Sequence, residues 1–300
     1  MQICSFLPSA TEILYALGLG DSVAGVTFEC DFPPEAAGKS IVVNTNLAHD
    51  LTSAEIDNTV NDYSSHGEGL YRIDIGKLEA IKPDLVVTQE LCDVCAISTS
   101  SVAKAVHQLS SKPQVLSLTP HTLGDVLEDV LRVGQATSRD AEAGELVSSL
   151  RQRIAKVSQM PKRQKPTVVC LEWLSPPFNG GHWIPEMIDL AGGIDPLGRL
   201  GKDSYRMEWD QVLSVNPDVV LVMPCGHNLE RSVQEYHATQ FPERWKHVKA
   251  VRNGRVYAVN ASAYFSRPGP RLVTGLEIMH ALLQEDQPQE ELLANSWIRL

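Results

Sequence analysis

Cys92-Asp93-Val94-Cys95 sets two thiols at the spacing that lets both hold one metal ion or exchange electrons. Cys225 with His227 offers a second sulfur–imidazole group, and Glu29-Cys30 a third, each in a loop after an apolar run. Thiolate and imidazole suit zinc, whose protein sites are tetrahedral with Cys, His or carboxylate ligands. The four thiols Cys30, Cys92, Cys95 and Cys225 equally suit an iron–sulfur cluster. Packing is the competing reading, because cysteine is among the most buried residue types. Redox exchange ranks below metal binding, since Asp93 between the thiols opposes thiolate formation. Cys4 and Cys170 fall within predicted strands and are expected in the core.

His182-Trp183 follows Gly180-Gly181 and is predicted to open a helix, where the histidine would contact a ligand, including as a base to a metal the ligand itself carries, or simply cap and pack. Trp173 and Phe178 have flat faces for a ring-shaped ligand, or serve as core. Arg267, in the rigid run Arg267-Pro268-Gly269-Pro270-Arg271, presents a planar fork suited to carboxylate or amide groups, or to an Asp or Glu of the protein itself. The histidines at 49, 66, 107, 121, 237, 247 and 280 show no pairing along the chain. There is no Gly-rich phosphate loop, Gly-x-Ser-x-Gly elbow or His-Glu-x-x-His helix, which favours a binder over an enzyme.

These groups hang on a repeated unit. Ala80 to Cys95 and Val212 to His227 each run from an amphipathic segment through Pro-Asp (Pro83-Asp84, Pro217-Asp218) into an apolar run, Leu85-Val86-Val87 or Val219-Val220-Leu221-Val222. Proline cannot continue a helix, and an all-apolar β-branched run after such a turn reads as a parallel strand buried on both faces. Other strands are predicted at Ile3–Leu7, Val23–Thr27, Gln114–Leu118, Thr167–Leu171 and Arg255–Val259. A helix is expected after Leu7, with Ser9 as N-cap and Glu12 completing a capping box. Further helices are expected before each Pro-Asp turn and over 98–109, 123–136, 182–191 and 271–283, while 44–69 reads as a polar insertion with one helix from Ser53. Arg139 to Ser158, 20 residues of helical periodicity, would span about 30 Å.

The expected fold is therefore α/β with two lobes, each a mainly parallel sheet flanked by helices, joined by one long helix. The divisions are 1–136 and 163–284 for the lobes, 137–162 for the linking helix and 285–300 for a tail. In such sheets ligands bind outside the carboxyl ends of the strands, so the ligand cleft is expected between the lobes, lined by 28–34, 88–95, 172–181, 224–228 and 262–271. Three hundred residues suits two domains of about 100–150 each. A net charge of −11 argues against a nucleic-acid footprint, and no window approaches the roughly 18 consecutive apolar residues of a membrane span. The first residues carry neither a basic nor an apolar leader region, from which a cytoplasmic location and reduced thiols are expected.

Leu7-Pro8-Ser9-Ala10-Thr11-Glu12, Asp31-Phe32-Pro33-Pro34, Lys82-Pro83-Asp84-Leu85-Val86, Ser175-Pro176-Pro177-Phe178, and Arg267 with Pro270-Arg271 occur in an order that resembles one family. It is the class of solute-binding proteins of cobalamin and ferric-siderophore importers with one long helix between lobes, and the likeness is closest to the cobalamin-binding branch. The resemblance implies a corrinoid, or another macrocyclic small molecule, as ligand. It implies contacts from Phe178, Arg267, Tyr264 and Phe265, and places Glu29 and Gln89 where the family has aromatics. It also implies an acidic docking residue for the ABC permease on each lobe. Asp210 fits one position but Gly76 occupies the other, which argues against docking.

Overall fold

The computed structural model describes residues 1–48, 51–66, 70–89, 99–285 and 295–300, without the side chains of residues 61, 64, 65, 99 and 100. The chain divides into two compact units, Met1–Pro120 with Gly124–Ser148 and His121–Leu123 with Ser149–Leu300. No helix among the described residues is long and apolar enough to cross a membrane.

The first unit holds strands β1 (Ile3–Ser5), β2 (Val23–Thr27), β3 (Ser40–Thr45), β4 (Tyr71–Ile73), β5 (Leu85–Gln89) and β6 (Gln114–Leu118). Its helices are α1 (Pro8–Ala16), α2 (Ser53–His66), α3 (Ile75–Ile81), α4 (Thr99–Gln108) and most of α5 (Leu123–Ala136). The sheet order is β4-β3-β2-β1-β5-β6, parallel except for β4 on β3. Helix α6 (Asp140–Gln159) follows, and the division between the units falls within it.

The second unit contains β7 (Val168–Leu174), β8 (Pro177–Asn179), β9 (Val219–Val222), β10 (Val256–Val259) and β11 (Trp297–Arg299). Its helices are α7 (Ile184–Leu190), α8 (Trp209–Val215), α9 (Leu229–Ala238), α10 (Lys249–Arg252), α11 (Ala261–Tyr264) and α12 (Leu272–Gln284). The order is β11-β10-β9-β7-β8. Only the three inner strands are parallel; β8 and β11 run antiparallel at the edges, so this sheet is mixed rather than mainly parallel.

The two Pro-Asp turns are built alike. Helix α3 ends on Lys82 and α8 on Asn216, both left-handed (φ 52° and 49°). The proline then forbids a further turn, and the chain enters β5 or β9. The carboxylate of each aspartate accepts a backbone N–H of the neighbouring strand's leading segment, Gln2 N on Asp84 Oδ2 at 2.7 Å and Thr167 N on Asp218 Oδ2 at 2.9 Å. All four residues of β9 are fully buried, and each such aliphatic side chain contributes about 1.5–3 kcal/mol relative to exposure.

Three local expectations change. Helix α1 starts at Pro8, with Leu7 as N-cap and no side-chain cap; proline's fixed φ suits the first helical position, so Ser9 lies inside the helix. The polar insertion, 44–69, contains α2 from Ser53 as expected, and two strands that were not anticipated flank it, β3 running into its start and β4 following it. Residues 285–300, expected as a tail, end in β11, which pairs with the open edge of β10 while Trp297 meets Tyr257 edge-on at 5.6 Å.

Candidate functional site

The second unit gathers its loops at the carboxyl ends of its strands. Strands β7 and β8 form a hairpin in which Trp173 pairs with Phe178. The loop after β9 crosses to it, Cys225 N donating to Glu172 O at 3.0 Å. His227 then lays its imidazole against Trp173, with ring centroids 5.5 Å apart and planes 27° from parallel. The carbonyl of His227 accepts Ser262 N at 2.9 Å, tying in the segment that carries Tyr264. The Arg271 guanidinium lies 5.9 Å from the centre of the Tyr264 ring. Trp173, Phe178, Tyr264 and Arg267 are all partly exposed. Phe265 is not: it is 2% exposed, and its role is a core one, its carbonyl accepting Trp183 Nε1 at 2.8 Å.

His227 is itself buried, and burial, with Arg231 adding to it, pushes its pKa down to about 4. It is therefore a neutral ring at pH 7. Burial also lowers the pKa of His182; nearby His121 adds to this, and Asp203 opposes it.

His182 does not lie in the helix it was predicted to open. Helix α7 begins at Ile184, and His182 sits before it in a left-handed conformation (φ 52°). Its N–H donates to Lys202 O at 2.6 Å and its carbonyl accepts Gly201 N at 3.1 Å, which holds the backbone there. Gly181 is required next to it, because a Cβ would run into the backbone nitrogen of Ser204. The His182 ring stacks on His121 (5.9 Å, 25°), and Nε2 lies 3.2 Å from Asp203 Oδ1. His121, which shows no pairing along the chain, thus has a neighbour that only folding supplies.

In the first unit, Glu29 follows β2, with its N–H on Thr27 Oγ1 at 3.1 Å. Cys30 is buried, its sulfur 3.1 Å from Thr11 Oγ1 and 3.6 Å from Thr27 Oγ1. Gln89 is the last residue of β5 and is also buried. Cys4 and Cys170 are in the cores, as expected, and burial raises Cys4 to a pKa of about 12. Cys92 and Cys95 lie outside the described residues.

Among the described residues, one group of three or more His, Cys, Asp or Glu brings its ligand atoms within 4.8 Å of one another: His121, His182 and Asp203. Cys30, Cys225 and His227 are not in it. Asp210 is exposed on α8, and Gly76 is exposed on α3.

A family model for periplasmic binding proteins matches residues 3–263. An uncharacterized ABC transporter substrate-binding lipoprotein of Bacillus subtilis, YvrC, is 25% identical over 302 residues, covering 96% of this chain and 82% of its own. A vitamin B12-binding protein of Vibrio cholerae is 23% identical over 292 residues, covering 96% and 91%. Among solved structures, the periplasmic vitamin B12 binding protein BtuF of Vibrio cholerae superposes with a TM-score of 0.70 at 23% identity, over 96% of this chain and 98% of that one. A periplasmic heme binding protein from Pseudomonas aeruginosa gives 0.74 at 14% identity, over 100% and 99%. The match across both units, in the order of elements described above, makes this chain a member of the periplasmic binding protein family, with the α/β two-lobe architecture of its solved relatives.

Proposed function

We propose that this protein binds a corrinoid, a large ring-shaped solute held by the loops at the carboxyl ends of its strands. The observation that carries the reading is the knitting of three loops of the second unit through His227, which brings Trp173 and Phe178 onto one assembly with the Tyr264 segment. Partly exposed aromatic faces beside a neutral imidazole suit a ligand that is flat and mostly apolar, with polar groups at its rim. Arg267 has the fork geometry for rim amides or carboxylates. The names of the relatives point to the same chemical class, vitamin B12 in one case and heme in another.

Incubation of the purified chain with cyanocobalamin, dicyanocobinamide or hemin, then gel filtration read at visible wavelengths, tests the reading. Co-elution of either corrinoid is expected. Hemin alone in the protein peak would refute the corrinoid and keep the ring-shaped class, whereas no pigment in the peak would overturn both.

A further inference from the structure

We propose that His121, His182 and Asp203 form a binding site for a divalent transition-metal ion of the zinc type, wholly within the second unit. Their ligand atoms lie within 4.8 Å of one another, and His182 Nε2 and Asp203 Oδ1 are 3.2 Å apart. Two ligands of a tetrahedral zinc ion, each about 2.0–2.1 Å from it, sit about 3.3 Å apart. The His182–Asp203 pair thus already has the separation of two zinc ligands, and the nearest ligand atom of His121 lies within 4.8 Å of both. Asp203 has the room to adjust, its side chain being 74% exposed against 14% for His182.

Two further observations bear on the site. Nε2 of His182 is buried and faces the Asp203 carboxylate. The His121 imidazole lies beside that of His182, with ring centroids 5.9 Å apart.

The frame is also fixed before any ion arrives. His182 is pinned on both sides by backbone hydrogen bonds to Lys202 and Gly201. The 121–123 segment is anchored to α7 by Leu123 N on Glu186 Oε2 at 2.8 Å. Two histidines and one carboxylate leave a fourth position for water, the pattern of an open rather than a closed zinc site. The inference does not depend on the identity of the organic ligand.

The test uses the full chain without an affinity tag, stripped with a chelator and titrated calorimetrically with zinc chloride. The comparison is with His121→Ala, Asp203→Asn and His182→Asn, the last because asparagine tolerates the left-handed backbone. One zinc per chain is expected. Affinity should fall at least tenfold in each variant, with loss of the zinc-dependent rise in the unfolding midpoint. Cobalt(II) should give a tetrahedral-type visible spectrum in the parent that His121→Ala abolishes. Asp203 is exposed, so its variant stays informative if a histidine variant folds poorly. No zinc binding, or equal binding in the parent, His121→Ala and Asp203→Asn, as would occur if the cysteines were the ligands, overturns the proposal.

Discussion

Asp218 holds Thr167 by two hydrogen bonds in opposite directions, Thr167 N to Asp218 Oδ2 at 2.9 Å and Asp218 N to Thr167 O at 2.8 Å. Asp84 does the same to Gln2, at 2.7 and 2.8 Å. The aspartate of each Pro-Asp turn is thus the clamp that sets the start of the adjacent strand, β7 or β1. Removing the clamp carboxylate in Asp218→Ala is expected to cost about 1 kcal/mol, the worth of one partly exposed charge-assisted hydrogen bond. Asp218→Asn, which keeps an oxygen acceptor, should cost less. Urea unfolding midpoints of the two variants check this.

The buried His227 makes stability depend on acid. Its pKa of about 4 lies below the unfolded value of 6.5, so between these values the unfolded chain binds more protons. The stabilising contribution is complete above the unfolded value and is lost as the pH falls toward the folded one. Lowering the pH from 8 to 5 is expected to remove about 2 kcal/mol through this ring alone. His227→Phe, which retains a flat face for Trp173, should unfold with a shallower dependence over that range. Thermal melts of both proteins across pH 5–8 would show it, and parallel slopes would count against the assignment.

In the first unit, Asp129 is buried on α5, and burial raises its pKa to about 6 even though Arg132 pulls it down. Arg132 donates to Asp129 Oδ1 at 2.8 Å and to Ser117 O at 2.7 Å. Arg132→Ala leaves the carboxylate without its cation, an expected loss of about 1–3 kcal/mol. Because the folded pKa is above the unfolded one, the charged carboxyl costs stability as the pH rises. The loss should therefore be largest above pH 6 and shrink below it, where Asp129 is protonated. Chemical denaturation at pH 5 and pH 8 separates the two regimes.

Helices α11 and α12 approach so closely at Gly275 that a Cβ there would overlap the carbonyl oxygen of Tyr264. Gly275→Ala cannot relieve this by rotating a side chain, since the obstacle is backbone. A loss of about 2 kcal/mol or more is expected, within the range of overpacked cores. The displaced Tyr264 segment should also weaken pigment binding more than the stability loss alone would. Melting and gel filtration on the same preparation distinguish the two effects.

The sequence by itself determined the scaffold. Parallel strands buried on both faces show as unbroken apolar runs, Leu85-Val86-Val87 opening β5 and all four residues of β9, and the Pro-Asp turns end helices by steric exclusion; both rules act between neighbours in the chain. Motif order was enough to assign the family, and Cys4 and Cys170 were legible as core for the same local reason. Strand β3 and the edge strands β4, β8 and β11 were not legible, because a short half-polar segment becomes a strand only when a neighbouring strand accepts its hydrogen bonds. The site divides likewise. Trp173 and Phe178 are close in sequence and were read together, whereas Phe265 was read as a contact and folds into the core. The approach of His121 to His182 and Asp203, and the stacking of His227 on Trp173, join residues far apart in the chain. No spacing rule connects such residues. Their meeting is decided by how the helices and loops of the second unit pack, and only tertiary structure contains that.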